Sequence, residues 1–426
     1  MRILVLNSEI SFPPVTGAQS RTYHLLKRLS AEHEVTLVGF SWVSSNSPIL
    51  CSLPLEVIRV PWTPSEVYRK MREGSPSESQ AAYRQLAYEC AEPWFVNYYN
   101  SKTMETLLRE LTHRPFDLIL IEHSFMARFL PFLRLDIPKV LDMHNVHTLM
   151  AWRRAQEKSG SDDDDLLREF ERTRSFERMV CTACQLCLCC SEQEAEAARH
   201  FLNIEHIRVI PNGVDIAMMT PGKGSITPGF LLFTGMMNYQ PNIEAVCYFV
   251  REIFPLIRAE VPEATFHIAG ASPASEVQAL ASDSVFIHGS VPDMCLYFHQ
   301  AAVVVVPLLH GGGTRLKILD AAACGKPIVS SSVGAEGLNF VGGRDILLAD
   351  SAPTFAQTVV GLLTNPDRQA EQSRWARRAA EAYDWSGIAS EFCSVVTGVA
   401  QGHRGARVGL QPLETDAAAY RDSSCG

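Results

Sequence analysis

Residues 307–327 read Pro307-Leu-Leu-His-Gly-Gly-Gly-Thr-Arg-Leu-Lys-Ile-Leu-Asp-Ala-Ala-Ala-Cys-Gly-Lys-Pro327 and begin inside the apolar run Val303–Leu308. A buried strand ends here, three glycines follow, and a helix is expected over Thr314–Cys324. Strand, turn and helix in that order make the unit from which parallel sheets are wound. Gly311, Gly312 and Gly313 allow positive φ and close approach of backbone to a ligand. The first-turn amides of the helix lack partners, and its dipole places positive charge there, which suits a phosphate. Arg315 and Lys317 add full charges close by, and Lys317 and Asp320, three residues apart, share a helix face. A tight turn carrying surface charges is the plainer reading of the same residues.

Outward from this stretch the unit recurs. Before it, strands are expected at Phe230–Gly235, Ala264–Gly270 and Val285–Val291, and after it at Pro327–Val333 and Asp345–Asp350, with a helix at Asn242–Ala259. An earlier series comprises Arg2–Asn7, Glu34–Phe40, Leu55–Pro61, Asp117–Glu122, Lys139–His144, Gln185–Ser191 and His206–Asn212, with a helix at Ser20–Ser30. Most are continuous apolar runs, as in strands covered on both faces. The chain is therefore read as α/β: two doubly wound parallel-sheet domains facing a cleft, over residues 1–214 and 229–384. Residues 215–228, rich in Pro, Gly, Ser and Thr, form the linker. In such sheets ligands bind beyond the carboxyl ends of strands. Residues 62–104 interrupt the pattern with Arg69, Lys70 and Arg72, then Tyr83, Tyr88, Trp94, Phe95, Tyr98 and Tyr99. This helical insertion either touches a lipid surface or acceptor, or packs on its own domain. A last helix is placed at 385–402, and 403–426, without apolar periodicity, is expected to be a disordered tail.

Composition narrows the partners. The 426 residues include 46% hydrophobic and 20% charged, ordinary for a folded chain of two or three domains. Lys and Arg number 38 against 47 Asp and Glu, a net charge of −9, which argues against nucleic acid as the ligand. No apolar run reaches membrane-spanning length, and the apolar stretch near the start, Ile3–Leu6, reads as a strand rather than a signal peptide. With twelve cysteines and no export signal in this reading, a cytoplasmic location with reduced thiols is expected, with peripheral contact at the inner membrane face as its variant.

Other motifs mostly exclude. Gly-x-x-x-x-Gly-Lys-Ser/Thr is absent, which disfavours a P-loop nucleotidase. The loop Asn7–Gly17 lacks Gly-x-Gly-x-x-Gly, which disfavours a dinucleotide dehydrogenase. Gly17 still lies just ahead of a helix, able to face the cleft or to serve as a plain turn residue. Cys181, Cys184, Cys187, Cys189 and Cys190 run from a helix end into an apolar strand, where alternate side chains diverge, so they read as small buried residues and no metal site is assigned. His144 follows a strand, a place for ligand-facing residues as well as for a structural histidine.

Taken together, Val209-Ile-Pro-Asn-Gly-Val-Asp215, Phe233-Thr-Gly235 with Pro241-Asn242, Gly289-Ser-Val291-Pro-Asp293 and the stretch Gly311–Val329 resemble glycosyltransferase family 4, and within it the bacterial sugar transferases of exopolysaccharide and surface-glycan synthesis. The resemblance covers about residues 1–400. It implies the GT-B fold of two Rossmann-like domains, with a nucleotide-sugar donor held mainly by the second and a glycan or lipid-linked acceptor by the first. It further implies retention of anomeric configuration without a metal or cofactor, and a last helix that crosses back to the first domain. Asp320 matches the second acid of the family's Glu-x7-Glu pattern, a ribose contact, while the first acid falls at Gly312. Backbone amides of Gly311–Thr314 would take over part of that role. The family's Arg and Lys after the first strand of the second domain are replaced by Met236 and Met237 following Gly235, which leaves the diphosphate to Arg315 and Lys317. His144 looks like the histidine facing the transferred sugar, Gly17 matches the loop facing donor phosphates and acceptor, and Val291 falls where the nucleobase meets backbone.

The expected activity is hexosyl transfer from a nucleotide-diphosphate sugar, with Arg315 and Lys317 stabilising charge on the leaving diphosphate. Two alternatives stand beside it. An epimerase or hydrolase of the same fold would consume donor without acceptor, and the glycine in place of the first acid is compatible with a non-catalytic scaffold in polysaccharide assembly.

Overall fold

The computed structural model describes residues 1–10, 14, 16–41, 53–62, 65–73, 78, 81–82, 85–86, 92–157, 163–222 and 226–406. Their strands form two parallel sheets. The first contains β1 (Arg2–Asn7), β2 (Glu34–Ser41), β3 (Glu56–Pro61), β4 (Leu118–Glu122), β5 (Lys139–Asp142), β6 (Leu186–Cys189) and β7 (Ile207–Val209), in the order β3-β2-β1-β4-β5-β6-β7. The second contains β8 (Phe230–Thr234), β9 (Thr265–Ala269), β10 (Val285–Gly289), β11 (Val303–Val306), β12 (Ile328–Ser330) and β13 (Leu347–Leu348), in the order β10-β9-β8-β11-β12-β13. The strand order reverses between β1 and β4 in one sheet and between β8 and β11 in the other. Crevices open at such switch points, and the loops after β1, β4, β8 and β11 carry the residues considered below.

Central strands are uninterrupted apolar runs because helices cover both their faces: Val303, Val304, Val305 and Val306 are all fully buried. Several strands end earlier than their apolar sequence suggests. β5 stops at Asp142 because His144 turns the chain with φ of 56°, and β11 stops at Val306. The helix expected from Thr314 starts at Leu316. The stretch expected as one helix over Asn242–Ala259 comprises helices Gln240–Tyr248 and Phe254–Glu260 joined by a π-turn, Phe249–Ile253, just ahead of Pro255.

The helix Gly17–Glu32 starts with a reciprocal cap. The Thr16 hydroxyl accepts from the Gln19 amide at 3.3 Å, and Gln19 Oε1 accepts from the Thr16 amide at 3.2 Å. Its Leu25, Leu26 and Leu29 are buried against the sheet. The helix Trp385–Ala406 packs on it from the far end of the chain. Trp385 stacks on His24 with ring centres 5.0 Å apart and planes 7° from parallel, while Phe392 and Val396 are fully buried. Each such side chain contributes roughly 1.5–3 kcal/mol of burial. The helix runs on through 403–406, which the sequence assigned to the tail; 407–426 lie outside the described residues.

Within 62–104, Tyr83 and Tyr88 lie outside the described residues. Arg69 and Lys70 are exposed, whereas rings of the segment pack together: Trp62 is 4.5 Å from Tyr98 and 5.8 Å from Tyr99 by ring centres, and Tyr68 meets Tyr98 at 5.3 Å. From Tyr99 a column of rings leads to the cleft. Tyr99 stacks on Phe125 (4.6 Å, 5°), Phe125 on His123 (4.9 Å, 10°), and His123 meets His144 at 3.9 Å. The described part of the insertion thus props the loops at the switch point of the first sheet.

Candidate active site

The glycine turn after β11 lies in the groove between the two domains. A Cβ added at Gly313 would fall 2.6 Å from Asn145 Oδ1, and one at Gly312 3.3 Å from Met150 Cγ, both in the first domain. Gly311 and Gly313 take φ of 140° and 71°, conformations that disfavour any side chain. Across the groove, a Cβ at Gly17 would stand 3.1 Å from Leu316 Cδ1. Arg153 clasps the same turn: its Nη1 donates to Gly311 O at 3.1 Å and to Glu336 Oε2 at 2.9 Å.

At the turn, Arg315 sits at the N-cap of helix Leu316–Ala323, and no side chain caps the first turn, in which the Ile318 amide donates to Arg315 O at 2.9 Å. Its Nη1 folds back to the carbonyls of Gly312 and Gly313, bracing the turn. Its Nη2 and the neighbouring Thr314 Oγ1 are buried with no hydrogen-bond partner. Burial lowers the guanidinium pKa from its ordinary value, a shift that an anion would reverse. Two orphaned donors beside an uncapped helix start form a socket for negative charge.

Two residues further, in the first turn of the same helix, Lys317 reaches back toward β8. Its Nζ donates to Asn242 Oδ1 at 2.8 Å and stands 3.8 Å from the centre of the Phe233 ring. Burial, then the proximity of Arg315, holds its pKa well below the lysine range. Gly235 borders this ammonium; a Cβ there would meet Asn242 Nδ2 at 2.8 Å and Lys317 Nζ at 3.0 Å. Asp320 follows on the same helix, half-buried, its carboxyl pushed up to about 7 by burial. Val291, two residues beyond β10, stands apart, since three inter-strand spacings, about 14 Å, separate β10 from β11.

His144 lies across the groove but is enclosed. Its Nε2 meets Glu122 Oε2 at 2.7 Å and lies 3.8 Å from Asp142 Oδ2, and Cys190 Sγ donates to its carbonyl at 3.1 Å. Around it runs a buried network that sequence reasoning missed. Arg21 grips Asp142 through Nε at 2.8 Å and Nη2 at 3.1 Å, and donates to Ile210 O, Pro211 O and Asn212 Oδ1. Thr22 donates to Glu122 Oε2 at 2.8 Å. Burial works against the Asp142 carboxylate, but Arg21 outweighs it and the pKa falls; Arg21 is raised in return. Burial also drives His123 well below the usual histidine value, with its neighbours His144 and His147 adding to the effect. Glu122, Asp142 and His144 lie close enough to hold a metal ion, yet Arg21 takes both oxygens of Asp142, and Thr22 and His144 share Oε2 of Glu122. Of the three, Asp142 alone bonds the guanidinium, and Glu122 Oε1 is buried without a hydrogen-bond partner. One signal could have found it: adjacent strands β4 and β5 each end on an acid with a histidine just after, Glu122-His123 and Asp142-Met-His144, and both histidines take positive φ. Glu244, paired with His310 beside the glycine turn, was missed as well.

Comparison with known proteins bears on the two domains that carry these residues. The family Glycosyltransferase Family 4 matches residues 15–218, and Glycosyl transferases group 1 matches residues 228–365. The D-inositol 3-phosphate glycosyltransferase of an Arthrobacter species is 25% identical over 272 residues, 58% of this chain and 62% of that protein. The alignment thus spans under two thirds of that relative. Sucrose-phosphate synthase from Thermosynechococcus elongatus superposes with a TM-score of 0.67 at 16% identity, over 94% of this chain and 99% of that one. HepE of Anabaena, solved in complex with UDP and glucose, gives 0.63 at 14% identity, over 93% and 100%. Matched over residues 15–218 by Glycosyltransferase Family 4 and over 228–365 by Glycosyl transferases group 1, the chain is built of glycosyltransferase family domains in the GT-B arrangement of two Rossmann-like domains, a fold it shares with that synthase over 94% of its length.

Proposed function

We propose that the protein is a retaining, metal-independent glycosyltransferase that moves a hexosyl group from a nucleotide-diphosphate sugar to a glycan or lipid-linked acceptor in polysaccharide synthesis. The observation that carries this reading is the socket in the groove: Thr314 Oγ1 and Arg315 Nη2, buried without partners, at a helix start whose first turn also carries Lys317. A diphosphate there supplies the missing acceptors for both donors and restores the charge that burial disfavours.

In this reading, Asp320 accepts from the ribose and the region of Val291 takes the base, while His144 and Gly17 line the side of the sugar and acceptor. As the anomeric carbon–oxygen bond breaks, charge grows on the leaving phosphate. The loop amides, Arg315 and Lys317 are already aimed at it and bind it more strongly in the transition state than in the donor. The acceptor oxygen bonds to the anomeric carbon from the same face, and its proton passes to the leaving phosphate, so no side-chain base is assigned. The Arg21–Asp142 pair and the ring column fix the loop of His144, and the Arg153–Glu336 clasp closes the groove against water.

Among the described residues no helix is long and apolar enough to cross a membrane. With Trp62, Tyr68, Tyr98 and Tyr99 packed against one another, a lipid-linked acceptor would be met at the cleft rather than through these four rings.

A panel of nucleotide sugars, followed by calorimetry and by nucleotide release with and without a glycan acceptor, tests the reading. Acceptor-dependent release in the presence of a chelator, giving a product of unchanged anomeric configuration by NMR, is the expected result. Release independent of acceptor marks a hydrolase, and absence of binding to every donor marks a scaffold, which the glycine at 312 would accommodate.

A further inference from the structure

Far from the groove, three metal-type donors converge where the last helix crosses the first domain. Cys393 Sγ lies 3.6 Å from Glu32 Oε2 and 3.7 Å from His33 Nε2, and all three atoms are within 4.8 Å of one another. A tetrahedral zinc ion bonded to sulfur at about 2.3 Å and to nitrogen or oxygen at about 2.0–2.2 Å sets its ligand atoms about 3.6 Å apart. The sulfur-to-nitrogen and sulfur-to-oxygen separations already have that value with no ion present.

Each ligand is also held. Glu32 ends the helix Gly17–Glu32, and its other oxygen, Oε1, is bound by Arg28 at 2.6 Å, which leaves Oε2 facing the thiol. His33 caps that helix, its backbone amide donating to Leu29 O at 3.0 Å. Cys393 is buried, between Phe392 and Val396 on the face that packs against the first domain. Glu32 is exposed and His33 half-buried, so the cluster has a wet side through which an ion enters and a water completes four-coordination.

We propose that Glu32, His33 and Cys393 form a structural site for a thiophilic divalent cation of the zinc type, which staples the crossing helix to the first domain. It is separate from the transfer chemistry and does not depend on the assignment of that chemistry. On binding, the Cys393 thiol gives up its proton to solvent and the thiolate bonds the metal. Two ligands come from the first domain and one from the last helix, so the ion joins segments 360 residues apart in sequence, a connection that shortens the loop freedom of the unfolded chain.

The test uses the full chain, reduced, stripped with chelator and titrated with cobalt(II), then with zinc. A sulfur-to-cobalt charge-transfer band saturating at one ion per chain, displaced by zinc and accompanied by a rise in melting temperature, is expected. Cys393→Ser should abolish the band, and His33→Gln should weaken binding by about tenfold or more, with each variant's circular dichroism unchanged. A chain that takes up no cobalt, or a band that survives Cys393→Ser and vanishes in Cys187→Ser, overturns the assignment. A plain thiol hydrogen bond to Glu32 would give the first of these results.

Discussion

Replacing Lys317 by Met separates catalysis from stability and tests the diphosphate socket directly. Methionine keeps the stem's length and apolar character while removing the charge. The ammonium stands 2.8 Å from Asn242 Oδ1 and 3.8 Å from the Phe233 ring centre. A diphosphate oxygen about 4 Å away at an effective dielectric near 20 would interact with it by about 4 kcal/mol. Losing one preorganised donor of this kind raises the barrier by about 2.7–4 kcal/mol, roughly a 10²–10³-fold fall in turnover. The stability effect has the opposite sign. Burial and Arg315 depress the folded pKa of Lys317, so the folded state binds the proton less well than the unfolded chain. That penalty is full below the folded pKa and fades as pH rises toward the unfolded lysine value. Lys317→Met removes it, so its melting temperature should exceed wild type, most clearly at the acid end of the range, while a nucleoside diphosphate should protect it less than wild type. Initial-rate kinetics and thermal melts with and without ligand measure both. Near-normal turnover in a folded variant would refute the socket; lost turnover with a lowered melting temperature would refute the electrostatic account of its cost.

Gly235→Ala forces a Cβ to within 2.8 Å of Asn242 Nδ2 and 3.0 Å of Lys317 Nζ at φ of 150°, so its turnover should drop toward that of Lys317→Met. Gly387→Ala, where a Cβ meets nothing within 4 Å, should leave turnover alone and add about 0.4–1 kcal/mol of stability; equal activity in the two variants would discount the contact. Asp320, raised to about 7 by burial, gives a second pH signature: the folded state holds its proton more tightly, so stability is lost as pH climbs from the unfolded carboxylate value through about 7. Asp320→Asn should flatten that slope in urea unfolding at pH 5 and 8, and an unchanged slope removes the assignment. Tyr99→Ala, which takes away stacking on Phe125, Phe40 and Trp62, should cost about 1–3 kcal/mol in the same assay and lower turnover by loosening the loop of His144. Arg153→Ala removes a partly exposed pair worth at most about 1 kcal/mol, yet it frees Gly311 O, so donor KM should rise; an unaltered KM would mean the clasp does not shape the groove.

What could be read from the chain, and what could not, divides along sequence distance. Both sheets were legible because a strand covered on two faces must be apolar throughout, as Val303–Val306 is, and because glycine turns punctuate the strand ends. The ends of β1, β3 and β4 were met, but those of β5 to β13 were overrun by one to three residues, since apolar sequence continues where the backbone has already turned, as at Met143 before the positive φ of His144. The network of Arg21, Asp142 and Asn212 was not legible: its partners are 121 and 191 residues apart, and an arginine in an amphipathic helix reads as solvated until a sheet places an acid beneath it. Arg315 shows the same limit at short range. Its charge near the glycine turn was plain, but not that Nη1 would bend back onto the carbonyls of Gly312 and Gly313. That bend divides the labour of the two cations. Arg315 braces the turn and offers only Nη2 to a ligand, so its loss would disorder the socket as well as discharge it. Lys317, whose anchors Asn242 and Phe233 belong to other segments, can be discharged with the turn intact. The difference in turnover between Arg315→Ala and Lys317→Met therefore measures how much of the socket's effect is charge and how much is the rigidity of the loop that holds it.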